Sequence, residues 1–383
     1  LYKRLFSGLS TEIKEPKKRH SHIIEKMLYM VEINPEHIQH LYSLFGENAN
    51  IINDSYFNYN NLQFDIIIGN PPFNVSGSIK TPTNTISNKT KDGKAIWREF
   101  VINSIQNLQG EGILLMITPS IWMKRDDKLF NIMKGSGTLE KIHTLSNTET
   151  NNIFNKQAQT PTCYFVLKKR EYNNTINIWD NINNVYFNYL SNLSLPLKNI
   201  SIISKILMYT NMYSKIHVIK TNMPYKSICI SNAKNENPYK NINTCRQINK
   251  KPTLVINYSD IPCKFHGIPK LVLAHKMYGF PYYDISGTYG VSNRDNYVIT
   301  GYSNNDFIKL RDFLHSKFAR VIFDSTRYRM MYLEKYAFEF IPDITKIKNF
   351  PLVITEDSIA DFFNLNIKER NYINEYKFKS LCS

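Results

Sequence analysis

The stretch FDIIIGNPPFNV, residues 64–75, contains side chains suited to recognising an amino group. Asn70 ends an apolar run and is followed by Pro71, Pro72 and Phe73. Each proline has a fixed φ and lacks an N–H group, so the backbone here is stiff and its carbonyl oxygens are available as acceptors. The Asn70 amide oxygen is another acceptor, and Phe73 offers a flat face on which a nucleobase stacks. These residues therefore predict a site for a planar ring with an exocyclic –NH₂ group.

Such a site has a clear chemical use in methyl transfer. An amino nitrogen conjugated to a purine is a poor nucleophile, because its lone pair is delocalised into the ring. Two acceptors on its hydrogens favour a tetrahedral nitrogen with a localised lone pair, which then attacks a sulfonium methyl in line. Positioning and electrostatics supply the catalysis, without a covalent enzyme intermediate. A base in a duplex must first leave the stack to reach such a pocket.

Three short apolar runs place polar residues at predicted strand ends. The run at residues 27–34 ends at Glu32, the run at 49–57 leads to Asp54, and the run at 64–70 ends at Asn70. In open α/β sheets, ligands bind at the carboxyl ends of the strands. The third run lacks alternation, which is typical of a parallel strand buried on both faces.

The remaining pattern predicts an α/β protein with two domains. Residues 1–170 are expected to form a doubly wound catalytic domain, residues 171–214 a connector, and residues 215–383 a second domain of mixed α and β type. The elements expected between residues 35 and 210 are helices at 35–46, 94–112 and 200–210, a mobile loop at 74–94, a buried strand at 112–119, and a last, antiparallel pair of strands at 139–147 and 160–169.

The tetrapeptide Asn70-Pro71-Pro72-Phe73 after FDIII resembles the catalytic motif of amino-methyltransferases that use S-adenosylmethionine. The order of elements resembles the adenine-N6 DNA methyltransferases of restriction–modification systems over residues 18–170. The resemblance implies a Rossmann-like sheet and a site-specific, adenine-specific DNA methyltransferase. It assigns Asn70 and Pro71 as amino-group acceptors within this motif and Phe73 as the ring that stacks on the flipped adenine.

The resemblance also implies a binding site for the cofactor S-adenosylmethionine. Glu32 matches the acid that binds the ribose hydroxyls, and Asp54, with Ser55 beside it, matches the acid that contacts the adenine amino group. The family's glycine-rich loop should precede Glu32, but residues 1–31 do not supply it. We therefore expect the loop to be encoded upstream of Leu1; the alternative is a permuted order, with the sequence DISGTYG at 284–290 as the downstream candidate.

The formal net charge of +16 favours a polyanionic partner, and we expect double-stranded DNA. The alternative is a basic composition inherited from an AT-rich genome. Within the second domain, Asn293 and Arg294 are the pair expected to read base edges, since Asn suits adenine and Arg suits guanine. Further basic residues expected at phosphates, and tyrosines expected to stack or wedge, are Lys250, Lys251, Arg327 and Arg329, and Tyr282, Tyr283, Tyr289 and Tyr328.

The cysteines and the hydropathy indicate the compartment. Five cysteines without a CxxC pair predict free thiols in a reducing, intracellular setting, cytoplasmic or associated with the nucleoid. No apolar run is long enough to cross a bilayer, so no membrane partner is expected. We also expect no metal; the alternative is a zinc site, because Cys263 and His266 have a ligand-like spacing, with Cys245 and His275 nearby.

Two other functions share these motifs. Amino-methyltransferases that modify guanine in RNA or a glutamine amide in a protein resemble the same tetrapeptide, although their accessory regions are smaller or placed differently. A truncated, inactive remnant that only binds DNA or a partner subunit is the other alternative, and the missing glycine-rich loop favours it. A separately encoded restriction endonuclease is a further possible partner of the DNA methyltransferase.

Overall fold

The computed structural model describes residues 1–59, 62–74, 95–155, 158, 160–190, 193–234, 237–248, 251–275, 280–328 and 332–377. It confirms an α/β fold with a large mixed sheet. The strands of the first half are β1 (Tyr29–Glu32), β2 (Asn50–Asn53), β3 (Phe64–Gly69), β4 (Leu108–Pro119), β5 (Thr138–Leu145), β6 (Thr162–Lys168), β7 (Thr175–Asp180) and β8 (Val185–Leu190). The helices are α1 (Tyr2–Gly8), α2 (Pro16–His22), α3 (Pro35–Phe45), α4 (Trp97–Gln106), α5 (Lys128–Ser136), α6 (Asn147–Ile153) and α7 (Ile200–Tyr213), with a π-helical turn at Ile23–Met27.

Within the described residues, β3 to β8 form a six-stranded sheet in the order β3-β4-β6-β5-β7-β8. β3 is parallel to β4, and β6 is antiparallel to both β4 and β5. The predicted antiparallel pair is thus confirmed. The prediction that β5 and β6 are the last strands is wrong, because β7 pairs with β5 and β8 with β7. β7 alternates partly buried and buried residues, and β8 buries Tyr189; the Asn-rich sequence around the two strands hid this pattern.

β1 and β2 form a separate parallel pair joined through α3, whereas α4 lies between β3 and β4. The rings of Tyr29 and Phe64, the first residues of β1 and β3, meet at 5.5 Å, so the two strands start near each other. Among the described residues, β1 and β2 are not hydrogen-bonded to the six-stranded sheet. Both β1 with β2 and β3 with β4 are parallel pairs connected through a helix, the unit from which doubly wound sheets are built.

The main apolar core lies on one face of the six-stranded sheet. Leu114 and Met116 of β4 face it together with Phe165 of β6, beneath α4, α5 and α7. The prediction that β3 is buried on both faces is wrong, since Ile66 and Ile68 are 50% and 52% exposed. β3 is the edge strand of this sheet, and these two side chains point away from the core.

The predicted helix at 94–112 begins and ends differently in the structure. α4 ends at Gln106, and β4 already begins at Leu108. The shift has a packing reason. Leu108 is fully buried and pairs with Phe64, so the chain becomes a strand before it reaches the glycines at which the helix was predicted to end. The predicted loop at 74–94 lies almost entirely outside the described residues.

The second half is of mixed α and β type, as predicted. Its strands are β9 (Ile219–Lys220), β10 (Ile230–Ser231), β11 (Tyr239–Ile248), β12 (Lys251–Ser259), β13 (Lys270–Ala274), β14 (Pro281–Asp284), β15 (Gly290–Val291) and β16 (Asn296–Ile299), followed by the helices α8 (Asn304–His315), α9 (Lys317–Ser325), α10 (Glu356–Phe362) and α11 (Ile367–Glu375). Among the described residues, two four-stranded sheets have the orders β10-β12-β11-β15 and β14-β13-β16-β9.

One apolar core joins the two halves. Trp122 from the end of the first sheet, Ile203 of α7, Tyr297 of β16 and Phe323 of α9 belong to the same buried cluster. The helix predicted at 200–210 is confirmed as α7, and it packs on β7 and β8 on one side and near α10 on the other. The domain limits at 170 and 214 stay a prediction.

Candidate active site

The predicted site residues follow three strands, of which the first two are parallel to each other. Glu32 ends β1, Asp54 follows β2, and Asn70 follows β3. The contact between Tyr29 and Phe64 sets the first residues of β1 and β3 side by side. The carboxyl ends of the strands are where an open α/β sheet presents its binding groups.

Asn70 is exposed, whereas the neighbouring Pro71 is buried. Phe73 is half-buried and its ring meets Phe154, just after α6, edge to face at 6.0 Å. The backbone oxygen of Phe73 accepts a hydrogen bond from the amide of Ile96 at 3.3 Å. The motif therefore combines an anchored proline and a fixed ring with a solvent-facing amide, an arrangement that lets Asn70 meet a ligand.

The Glu32 carboxylate is oriented by the start of α3. Its Oε1 accepts from the backbone N–H of Asn34 at 2.8 Å, and its Oε2 lies 3.5 Å from Nδ1 of His37. The Glu32 side chain is 30% exposed to solvent. A carboxylate has about four lone-pair positions, so acceptor capacity remains for a diol.

Asp54 and Ser55 organise the turn after β2. Asp54 Oδ1 accepts from the backbone N–H of Ser55 at 2.6 Å and from Nδ2 of Asn58 at 2.9 Å. The Ser55 hydroxyl caps the short 3₁₀ turn Tyr56–Asn58. Both residues thus have a structural part, and their predicted contact with a cofactor stays a prediction.

The side chain of Tyr56 connects this turn to α4. It stacks on Phe100 of α4 with centroids 5.4 Å apart, and its hydroxyl shares a 2.7 Å hydrogen bond with Ser104. Burial raises the pKa of Tyr56, so the phenol stays neutral and able to donate. The turn that carries Asp54 is therefore fixed to the helix that follows the catalytic motif.

Sequence reasoning missed two contacts of the motif region. Phe154, which packs against Phe73, lies too far along the chain for any local pattern to pair the two. The second is a bidentate ion pair: Nη1 and Nη2 of Arg98 reach the two carboxylate oxygens of Asp127 at 2.6 and 2.7 Å. Asp127 also caps α5 through the amide of Leu129. A lone Arg and a lone Asp gave no signal of this pairing.

The downstream glycine candidate at 284–290 does not form a cofactor loop. The backbone N–H groups of Thr288 and Tyr289 both donate to the Asp284 carboxylate at 3.0 Å. Gly287 has φ +69°, and a Cβ there would lie 2.5 Å from the amide nitrogen of Ile268. These amides satisfy a buried carboxylate and are not presented to a ligand, so this alternative is wrong.

The same carboxylate forms a buried ion pair with a lysine. Lys270 Nζ lies 2.6 Å from Asp284 Oδ2, and the two side chains are 0% and 2% exposed. The ammonium also donates to the carbonyl oxygens of Phe265 and Ile268. Burial lowers the pKa of Lys270, while the hydrogen bond and charge of Asp284 oppose that shift.

The residues predicted to read DNA bases differ in their surroundings. The Asn293 side chain donates to Asn243 at 2.9 Å and accepts from the amide of Asp295, while Arg294 is exposed. Asn293 therefore holds its loop, which presents Arg294 to solvent. Contact of either residue with DNA stays a prediction.

The other predicted DNA contacts are only partly described. Arg327 lies 3.4 Å from Asp324 in a partly buried ion pair, while Arg329 and Lys250 lie outside the described residues, as does the side chain of Lys251. The prediction for Tyr328 is wrong: the residue is 0% exposed and its hydroxyl donates to Leu195 O at 2.6 Å. Tyr282, Tyr283 and Tyr289 are half-buried.

The cysteines in the part of the chain that the structure describes, Cys163, Cys229, Cys245 and Cys263, are free thiols. No group of three metal-binding side chains occurs among these described residues. His266 packs edge-on against Tyr239, and His275 stacks on Tyr332. Nor does any helix among those that the structure describes have the length and apolar character needed to span a membrane.

Comparison with known proteins gives one family match. Residues 5–154 match the model of the Eco57I restriction-modification methylase family. No curated protein matches the chain. The matched segment includes Glu32, Asp54 and the motif at residues 70–73.

Several solved structures share a distant likeness. The EcoKI M protein of a type I restriction enzyme is 14% identical over 46% of this chain and 40% of its own, with a TM-score of 0.35. A modification subunit of a putative type I restriction enzyme from Vibrio vulnificus YJ016 is 13% identical over 45% of this chain and 39% of its own, with a TM-score of 0.35. The type IIG restriction endonuclease BpuSI is 10% identical over 96% of this chain and 57% of its own, with a TM-score of 0.38.

The chain spans 37% to 40% of the length of the first three solved structures that it matches. Its family match is confined to the segment that carries the candidate active site. Over residues 5–154, the chain thus resembles the Eco57I restriction-modification methylases, as the motif at Asn70 predicted.

Proposed function

We propose that this chain is a site-specific DNA methyltransferase that transfers a methyl group from S-adenosylmethionine to N6 of an adenine flipped out of the duplex. The observation that carries the proposal is the motif Asn70–Phe73 at the end of β3. It presents an exposed amide, an anchored proline and a fixed aromatic ring directly after a strand whose first residue, Phe64, contacts Tyr29 of β1. The restriction-modification methylase match over the same residues supports it.

The donor set at these strand ends fits the proposed cofactor. Glu32 has a partly exposed carboxylate whose remaining lone pairs suit a ribose diol, and Asp54 with Ser55 follows the neighbouring strand. When bound, S-adenosylmethionine supplies an electrophilic methyl on a sulfonium. The residues of this chain hold and orient the reactants, which is how positioning lowers such a barrier.

The catalytic role falls on the motif. The Asn70 amide oxygen and the carbonyl of Pro71 accept from the two hydrogens of the adenine amino group and localise its lone pair. Attack of N6 on the methyl carbon would break the carbon–sulfur bond, whose electron pair would stay on sulfur, and one amino proton would pass to solvent water. Phe73 stacks on the flipped ring and replaces part of the stacking lost from the duplex.

The proposal includes partners. Double-stranded DNA is the substrate, which the net charge of +16 favours. A separately encoded restriction endonuclease is the expected partner in the system, since methylation then marks the DNA that the nuclease must spare.

The test is methyl transfer from labelled S-adenosylmethionine to unmethylated duplex DNA, followed by digestion to nucleosides. Label in N6-methyladenine is the expected result. RNA and a protein extract are offered in parallel reactions. Label in RNA or protein, with none in DNA, would replace this proposal by another amino-methyltransferase; cofactor binding without any transfer would leave a DNA- or subunit-binding protein.

Replacing Phe73 by Ala should weaken capture of the flipped base. Loss of the stacking face is expected to cost about 1–3 kcal/mol in binding of substrate DNA, measured by titration. Phe154→Ala is the matched control, because it removes the ring that packs against Phe73 but keeps the Phe73 ring itself. Unchanged DNA affinity together with lost cofactor binding in Phe73→Ala would contradict the assignment.

A further inference from the structure

A run of five charged residues, at 124–128, follows the end of β4 after one 3₁₀ turn, Ser120–Met123, and its first four members are Lys124 to Asp127. Each of the four side chains meets an oppositely charged residue that lies elsewhere in the chain. The partners of the first three belong to the second half, whereas the partner of the fourth belongs to the helix that follows the catalytic motif. We call residues 124–127 the charged segment.

Lys124 is the more enclosed of the two cations of the charged segment. Its Nζ lies 3.2 Å from Glu334 Oε1, and the two side chains are only 13% and 12% exposed. The rings of Tyr328 and Tyr336 lie 5.5 and 5.8 Å from the same nitrogen. An ion pair with this little exposure is weakly screened, and removing one partner leaves the other charge poorly solvated.

Arg125 and Asp126 extend the contact to the next turn of the second half. Arg125 Nη1 lies 3.0 Å from Glu339 Oε1, and Glu339 is buried. The pair of Asp126 with Lys335, at 3.2 Å, is about half exposed on both sides. An exposed pair contributes little by itself, so Lys124 and Arg125 are the members that matter for this contact.

Asp127 connects the charged segment to the motif. Its carboxylate receives both ends of the Arg98 guanidinium, a geometry that fixes orientation as well as distance. Arg98 lies in the first turn of α4, three residues after Ala95, which forms an antiparallel bridge with Asn74. Asn74 directly follows Phe73, so few covalent bonds separate this bridge from the motif.

A continuous path of contacts therefore runs from residues 334–339 through the charged segment and the start of α4 to the motif. We propose that Lys124, Arg125 and Asp127 are positioning residues, which fix the position of the motif at 70–73 relative to the second half of the molecule. The inference rests on the proposed function for its kinetic consequence. None of these residues needs to touch DNA or cofactor for the effect.

The test reverses one charge and then restores the pair. Lys124→Glu is expected to lower kcat for methyl transfer by about 10- to 100-fold, because small misplacements of reacting groups have effects of that size. The Kd values for DNA and cofactor should stay within about twofold. The double variant Lys124→Glu/Glu334→Lys should recover most of the lost rate. If Lys124→Glu impairs folding, Lys124→Gln replaces it in this test, because it removes the positive charge without adding a negative one.

The matched control is Lys168→Glu, which breaks the 2.8 Å pair of Lys168 with Glu111 at the far end of the same sheet. It should leave kcat unchanged. Equal losses in the control and in Lys124→Glu, or no recovery in the double variant when it is folded, would overturn the inference.

A second readout does not need activity. Backbone hydrogen exchange at residues 70–74 and 95–98 should rise in Lys124→Glu, return in the double variant and stay unchanged in the control. Wild-type protein that methylates no DNA but shows this exchange pattern would refute the proposed function and leave the positioning role intact. Unchanged exchange in folded Lys124→Glu would overturn the positioning role.

Discussion

Asn70→Ala should lower methyl transfer to DNA by about 10²–10³-fold, the range seen when one positioned hydrogen-bonding group is removed from a reacting centre. The Asn70 amide oxygen is the acceptor that helps to localise the lone pair of the target amino group. Without it, N6 keeps its conjugation with the ring and attacks the methyl carbon slowly. The measurement is the single-turnover rate with labelled S-adenosylmethionine.

The exposure of Asn70 makes this variant interpretable. Its side chain faces solvent, whereas the neighbouring Pro71 is buried, so truncation at Cβ leaves the anchoring of the loop in place. Thermal unfolding and cofactor affinity should therefore stay near those of the wild type. Asn188→Ala is the matched control, since Asn188 is an exposed asparagine of β8 in the same sheet. Near-normal turnover in Asn70→Ala would reject the amino-acceptor role.

The strand ends of the candidate site were predictable because they depend on local sequence. An apolar run that ends at Glu32 or Asn70 specifies a strand and its polar end without help from the rest of the chain. The contacts that orient these ends were not predictable. Phe73 meets Phe154, and Arg98 meets Asp127, through tertiary packing that leaves no local periodicity.

The wrong predictions share a physical cause: residue type suggests chemistry, but surroundings decide exposure. Tyr328 stands between two arginines and suggested a stacking surface, yet its ring is buried against the charged segment. Ile66 and Ile68 suggested full burial, yet they lie on an edge strand. The glycines at 284–290 suggested a cofactor loop, but the turn closes on its own Asp284. Each outcome depends on neighbours distant in sequence.

The buried pair of Lys270 and Asp284 should be the most sensitive position for the stability of the second half. All three N–H groups of the ammonium have acceptors, and the carboxylate also receives two backbone amides from the turn at Gly287. Lys270→Met leaves this carboxylate without its counter-charge in a site that excludes water. The free energy of unfolding should then fall by about 3–5 kcal/mol, measured by urea denaturation.

Most of the expected loss in unfolding free energy comes from leaving the Asp284 carboxylate buried without a counter-charge, and less from losing the ion pair itself. A double variant separates these two contributions. Lys270→Met/Asp284→Asn removes both charges while the Asn side chain keeps an acceptor for the turn amides, so it should be less destabilised than Lys270→Met alone. The matched control is Lys18→Met, whose partner Glu15 and own side chain are 52% and 76% exposed, and it should change stability by less than about 1 kcal/mol. Equal losses in Lys18→Met and Lys270→Met would show that burial does not govern this pair. A double variant as unstable as the sum of its single variants would show instead that the two side chains act independently, because a coupled pair departs from additivity.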